Sequence, residues 1–333
     1  MNGSARRALV LGATGHIGQA LVRELLGAGW QVGAATRQVR PPALAGLDVQ
    51  LLTGDADDPG QLAAWVRGHG VVFDAAAPYP MNLFVANGSA AGHPLAHART
   101  RMAALLQAVG DAGAALVHVS SYTTLPRPAD EGARATVEAA LRRRLHPYFA
   151  VKAAMEAQVL DAAQRGLRAI VLNPTACMGP WDRKPRELCV VPLLACGQVP
   201  ALLGQMLNVI DVRDVARAAR LAVEQQHWGA RIALAGHNAR ADALALQVCR
   251  LAGVAAPRRR LPGLLAAGSL LGAEAAWALL GRPSPVPALG SLLVLDAYAQ
   301  APGALQQALG VQPRPLDDTL RDALAWYREL GYC

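Results

Sequence analysis

A chain of 333 residues that is 53% hydrophobic, mostly Ala, Leu and Val, has ample core for one large domain or two smaller ones and excludes a disordered chain. Its net charge of +8 comes mainly from arginine, with clusters at Arg142, Arg143 and Arg144 and at Arg258, Arg259 and Arg260; aromatics are only 5%, so the basic-aromatic face of a nucleic-acid binder is not expected, and solvated helix ends and loops are the leading reading of these clusters, with attraction for an anionic cofactor or an acidic membrane surface as the alternative. Five cysteines, odd in number and without paired metal-ligand spacing, and a strand-like run starting at residue 8, point to a reduced, cytoplasmic setting without a signal peptide.

Residues 8–11 form a short apolar strand, followed by Gly12, Gly15 and Gly18 at the spacing GxxGxxG. A helix then runs at period 3.6 through Ile17, Leu21, Val22, Leu25 and Leu26 up to Gly27. Strand, glycine turn and helix in this order predict a dinucleotide-binding unit. Gly12 permits the tight turn, Gly15 the approach of backbone to pyrophosphate, and Gly18 the packing of helix on strand. Thr14, His16 and Ile17 complete the turn and bring the helix amino end toward the phosphates.

Further strands are expected at 31–35, 49–52, 71–77, 115–120 and 169–172, with helices at 61–66, 99–112 and 148–164 between them and a loop over 81–94. This alternation predicts an α/β, Rossmann-type doubly wound parallel sheet. Beyond Asn173, Pro and Gly become frequent, and strand-type segments recur at 208–214 and 231–235 before an amphipathic helix at 316–330. Residues 1–175 are thus read as the NADP-binding domain, with 208–235 returning to it. Residues 176–207 and 236–333 are read as a smaller, mainly helical substrate lobe. The apolar stretch 261–280 is interrupted by Pro262, Gly263, Gly268, Gly272 and Glu274; it is read as a buried or lid helix rather than a membrane span, with peripheral membrane contact by its leucines as the lesser reading.

Tyr148 and Lys152, four apart in YFAVK, share one helix face. A cation beside a phenol favours the phenolate, so the pair makes an acid/base for a carbonyl or hydroxyl group. Ser121, at a strand end, can hydrogen-bond the substrate oxygen; Ser120 or Thr123 takes that place if the register differs. The second strand ends at Thr36 and Arg37 with no acid before Asp48, which favours NADP(H) over NAD(H), unless Arg37 merely ends the strand in solvent. Asp55 and Ala56 sit where a carboxylate can bond adenine, and Ala75, Ala76 and Ala77 are small enough to let the cofactor lie against the backbone. The eight histidines show no metal-ligand pairing, and no metal is assigned.

GATGHIG, GDADD, DAAAPY, HVSS, YFAVK, LNPTACMGPWD and NVIDVRDVARA together resemble the extended short-chain dehydrogenase/reductase, or NAD-dependent epimerase/dehydratase, family over nearly the whole chain. Within it the chain is most similar to the branch of hopanoid-associated sugar epimerases and dihydroflavonol-reductase-like enzymes. The resemblance implies Tyr148 as general acid/base, Lys152 tuning it and bonding the nicotinamide ribose, and Ser121 on the reacting oxygen. It also implies Asn173, Pro174 and Thr175 on the nicotinamide side, and a homodimer.

The chain departs from the family pattern in having Asp74 where His is common, no Asn between His93 and Val119, and the bulky Tyr122 after the serines. Tyr79, Tyr122, Met178 and Trp181, with Met81, Leu83 and Phe84, suggest a fairly apolar small-molecule substrate. The leading expectation is an NAD(P)H-dependent oxidoreductase that reduces a carbonyl or oxidises the alcohol. The alternative is a sugar or sugar-nucleotide epimerase/dehydratase with retained NAD(P), gripping a diphosphate through Arg183, Lys184 and Arg186. A non-catalytic dinucleotide sensor ranks third.

Overall fold

The computed structural model describes residues 6–76, 94–127, 143–144, 146–183, 190–284 and 287–332. Its strands in chain order are β1 (Arg7–Leu11), β2 (Gln31–Thr36), β3 (Gln50–Thr53), β4 (Val71–Asp74), β5 (Ala115–Val119), β6 (Ala169–Pro174), β7 (Ala176–Met178), β8 (Ala201–Leu202), β9 (Met206–Asp211), β10 (Arg231–Leu234), β11 (His237–Arg240) and β12 (Arg259–Arg260). Seven of them form one sheet in the order β10-β6-β5-β4-β1-β2-β3, and every pairing in it is parallel. The chain winds outward from β1 to β3, then crosses back to β4 on the other side of β1. That reversal opens a crevice at the carboxyl ends of β1 and β4, the place where an open α/β sheet takes its ligand.

Both faces of the sheet are covered. The helices are α1 (His16–Gly27), α2 (Pro59–Val66), α3 (Pro94–Asp111), α4 (Pro147–Gln164), α5 (Val191–Ala195), α6 (Val212–Glu224), α7 (Ala241–Ala252), α8 (Gly263–Leu279), α9 (Leu289–Asp296), α10 (Ala304–Ala308) and α11 (Leu316–Glu329). Leu21, Leu25, Val215 and Ala219 from α1 and α6 pack with Val10, Phe73 and Ile170 on one face. Leu62, Met102, Leu105, Val151 and Met155 from α2, α3 and α4 pack with Leu9, Val72 and Leu116 on the other. Strands buried on both faces explain the near-continuous apolar runs in the sequence.

A second core joins Leu194, Leu207, Leu244, Val248, Leu320 and Tyr327 from α5, β9, α7 and α11. Here β9 lies between β7, parallel, and β11, antiparallel. Of the returning segment, β10 joins the large sheet and α6 packs on its face, whereas Met206–Asp211 belongs to the small one.

Some expected boundaries move. The strand expected over 208–214 stops at Asp211, whose side chain accepts from the Arg213 amide and caps α6, so 212–214 are helical. The strand expected to reach residue 77 ends at Asp74, Pro94 begins α3 rather than closing a loop, and Arg143 is only partly exposed and donates to the buried Asp296. The stretch 261–280 does form a helix, yet only Gly263, Ala267 and Glu274 of it are buried, which corrects the buried reading.

Candidate active site

The glycine turn closes as expected. Gly12 has φ +75°, and a β-carbon there would lie 2.9 Å from the Ala75 backbone. At Gly18 a β-carbon would fall 2.0 Å from the Gly12 carbonyl oxygen, so only glycine lets α1 rest on the turn. Gly15 is the N-cap of α1; among the described residues no side chain caps that helix, and no acid sits in its first turn. The amides of its first turn therefore remain available to an anion, which fits a dinucleotide pyrophosphate.

Thr14 and His16 tie the turn to the loop after β7. The Gln19 amide donates to the carbonyls of Trp181 at 2.6 Å and Thr14 at 3.2 Å, and His16 Nε2 donates to the Pro180 carbonyl at 3.1 Å. Burial pushes the His16 imidazole down despite Asp182 and Asp211, so it is neutral near pH 7. Ile17 packs on the core shared by α1 and α6.

Arg37 stands exposed just beyond β2. Asp55 lies in the loop after β3, where its carboxylate accepts from the Asp57 amide at 3.0 Å; Ala56 is half-buried between them. Ala75 and Ala76 follow β4, and the Ala75 amide donates to the Leu11 carbonyl at 3.1 Å. Ala77 and Tyr79, with Met81, Leu83, Phe84, Lys184 and Arg186, lie outside the described residues.

Pro147 at the first helical position and the His146 side chain, which accepts from the Tyr148 amide at 3.2 Å, start α4 just ahead of Tyr148. Three polar side chains then recur every four residues along the buried side of the helix. Tyr148 packs edge-on to Phe149 and is 3% exposed. Lys152, one turn on, donates from Nζ to the Val119 carbonyl at 3.2 Å, at the end of β5. Glu156, a further turn on, accepts from Ser120 Oγ, Thr124 Oγ1 and Asn173 Nδ2 and pairs with Arg231. Burial depresses the Lys152 pKa to about 8, with Asp74 and Glu156 opposing and Arg101 assisting.

Ser120 is thus committed to Glu156. Ser121 Oγ accepts from the Thr123 amide at 3.2 Å and from Thr123 Oγ1 at 3.0 Å, which leaves the Ser121 hydroxyl proton to donate elsewhere.

The Asn173 amide donates at 2.8–3.0 Å to Ser121 O, Thr124 Oγ1 and Glu156, and Thr175 Oγ1 donates to Asn208 at 2.8 Å. These side chains are turned into the protein. What they and Pro174, at the end of β6, present at the strand ends is backbone. Met178 lies in the core of the small lobe. Trp181, at φ +75°, lies against the core of α1 and α6 with the Arg23 guanidinium 4.8 Å from its ring centroid. Tyr122 donates to the Leu293 carbonyl at 2.8 Å, and burial raises its pKa well above the ordinary tyrosine value.

Sequence reasoning missed Glu156, although the i+4 row from Lys152 pointed to it. It also missed the cluster where the family pattern fails. Asp74 accepts from Arg101 Nη2 at 2.7 Å and lies 2.9 Å from His118 Nδ1, all three buried. Burial alone would raise the Asp74 carboxyl; Arg101 and His118 outweigh it and hold it well below the usual range. Burial lowers His118 more than Asp74 raises it. The neutral ring therefore donates from Nδ1 to Asp74, leaving Nε2 a buried acceptor with no hydrogen-bond partner among the described residues.

A parallel seven-stranded sheet with a glycine turn at its switch point, and a Tyr-Lys row at the end of β5, defines a dinucleotide-binding type of fold. The model of the NAD dependent epimerase/dehydratase family matches residues 8–233, and the chain belongs to that family, the extended short-chain dehydrogenases/reductases. It is 31% identical to a putative dihydroflavonol 4-reductase of Synechocystis sp., covering 97% of this chain and 95% of the relative. It is 29% identical to the sterol demethylase protein B of Methylococcus capsulatus, covering 97% and 98%. Among solved structures it is similar to the UDP-glucose 4-epimerase of Thermus thermophilus in complex with NAD, with a TM-score of 0.70 at 20% identity over 97% of this chain and 99% of that one. Members of the family are NAD(P)-dependent enzymes.

Proposed function

We propose that this chain is an NADP(H)-using oxidoreductase that reduces a carbonyl of a fairly apolar small molecule, or oxidises the corresponding alcohol. The observation that carries this reading is the buried Tyr148-Lys152 pair, whose lysine reaches the end of β5, in a sheet where only β4 separates β5 from β1 and its glycine turn. Gly12, Gly15 and Gly18 with the first-turn amides of α1 would hold the pyrophosphate, Arg37 the 2′-phosphate, and Lys152 the nicotinamide ribose. When bound, the nicotinamide supplies or accepts a hydride at the substrate carbon. Ser121 Oγ orients the substrate oxygen, and Tyr148 Oη gives that oxygen a proton during reduction or takes it during oxidation. Lys152, charged below about pH 8, stabilises the phenolate that remains. Two relatives, one named a putative dihydroflavonol 4-reductase and the other sterol demethylase protein B, support a substrate of low polarity.

Tyr148→Phe removes the proton donor without altering the nucleotide turn. Turnover with an identified substrate should fall by about 10²–10⁴-fold while NADPH binding, followed by fluorescence, is kept. Activity that survives the change would overturn the assignment.

A sugar-nucleotide epimerase is the second reading, favoured by the family and by the NAD-bound epimerase of the same fold. It requires a dinucleotide retained through purification. Release of tightly held NAD on denaturing the pure protein would select it.

A further inference from the structure

Helix α8 is 17 residues long, about 25 Å at 1.5 Å per residue. Leu264, Leu265, Leu279 and Leu280, at and just beyond its ends, are 70, 64, 89 and 71% exposed. Gly268, Ser269, Gly272 and Ala276 lie exposed between them and add no charge. The opposite edge holds the helix to the protein: Ala267 packs with Leu289 and Leu292 of α9 and with Tyr148 and Phe149 of α4, and buried Glu274 accepts from the Ala288 amide at 2.6 Å. Single exposed leucines are ordinary; a whole helix face without a charge is not.

The charges around this face have one sign. Arg258, Arg259 and Arg260 are exposed immediately before α8 and Arg282 just after it. Between residues 243 and 295 the sole acid is Glu274, which is buried. Arg260 shares Asp242 at 3.4 Å yet keeps its side chain 69% exposed. Apposing this face to that of a second copy would bring arginines against arginines. An acidic lipid surface supplies both the acyl layer for the leucines and the counter-charge for the arginines. No helix of the described residues is long and apolar enough to cross a membrane, so the face suits lying on a bilayer.

We propose that α8 docks this protein peripherally on an anionic lipid bilayer, leucine face inward and flanking arginines at the headgroups. Ala267, on the covered edge of α8, shares an apolar cluster with Tyr148, so the docked helix would lie between the bilayer and the candidate acid/base. The docking itself stands apart from the reaction proposed above, since it rests on none of the nucleotide-binding residues.

The test is flotation of the purified full chain with vesicles of phosphatidylcholine alone or doped with phosphatidylglycerol. Binding to the doped vesicles should exceed binding to the neutral ones by at least about tenfold. It should fall by about tenfold or more in Leu264→Gln/Leu265→Gln, in Leu279→Gln/Leu280→Gln and in Arg258→Glu/Arg259→Glu. All six positions are exposed, and NADPH binding with circular dichroism confirms that each variant is folded. Equal binding to both vesicles, binding that ignores the leucine changes, or no flotation at all would overturn the proposal. So would a dimer that does not float and is split by Leu264→Gln/Leu265→Gln, because a second copy would then cover the face.

Discussion

Tyr148 and Lys152 were legible because four-residue spacing on a helix is a local property, set before any tertiary contact forms. Whether Ser120 or Ser121 faces the cleft was not, because it depends on which way a strand end turns its side chains. Glu156 holds Ser120 from a helix 36 residues away. Arg37 sits between these cases: the sequence placed it at the end of β2, and the structure leaves it exposed there. A guanidinium in that position meets a 2′-phosphate, and a carboxylate meets ribose hydroxyls instead. Arg37→Asp should therefore lower kcat/KM for NADPH relative to NADH by about tenfold or more, a change of roughly 1.4 kcal/mol in relative transition-state binding. Steady-state kinetics with both coenzymes measures it, and an unaltered ratio would remove Arg37 from the site.

At the end of β5, groups from three elements set the protonation of one amine. Lys152 sits on the last carbonyl of β5, with Asp74 from β4 and Glu156 from its own helix raising its proton affinity and burial and Arg101 lowering it. Burial prevails, and the pKa falls from 10.5 to about 8. The folded chain thus holds this proton less tightly than the unfolded chain. The resulting stability penalty is present in full below about pH 8 and fades as pH rises toward 10.5. Catalysis runs the other way, because a neutral amine no longer favours the phenolate. The reductive rate should fall as pH rises through about 8, and Asp74→Asn should move the break to lower pH. A kcat profile that stays flat to about pH 9 would dissociate Lys152 from the acid/base. None of this was legible beforehand: Asp74, His118 and Arg101 are 17 to 44 residues apart and meet only across two strands and α3.

One polar link between the two cores centres on a carboxylate. Asp211 ends β9, caps α6 through the Arg213 amide at 2.8 Å, pairs with the Arg213 guanidinium at 2.7 Å and accepts from Thr319 of α11 at 2.8 Å. Arg213 reaches on to Asp322 at 2.6 Å. Helix α6 belongs to the large sheet's core and α11 to the small lobe's, so this cluster fixes one body against the other. Asp211→Ala removes a cap and leaves a half-buried arginine one partner short, at a cost of about 2–4 kcal/mol. Urea unfolding should show that loss, and a loss under about 1 kcal/mol would mean this cluster does not hold the two cores together. The burial of α8 was misjudged for a related reason. Apolar composition tells that a helix seeks cover, but which of its faces the protein itself covers depends on neighbours far along the chain.

Elements set by short-range physics could be read from the order of residues: the glycine turn, the alternation of strand and helix, and the phenol one turn from its amine. Backbone geometry and side-chain period are encoded within a few positions, and nothing distant can shift them far. The facing of Ser120, the inward turn of Asn173, the Asp74-Arg101-His118 cluster and the uncovered leucines of α8 needed the folded molecule. Each is settled by which remote groups arrive to bond, neutralise or desolvate a side chain, and that information is spread over the whole chain.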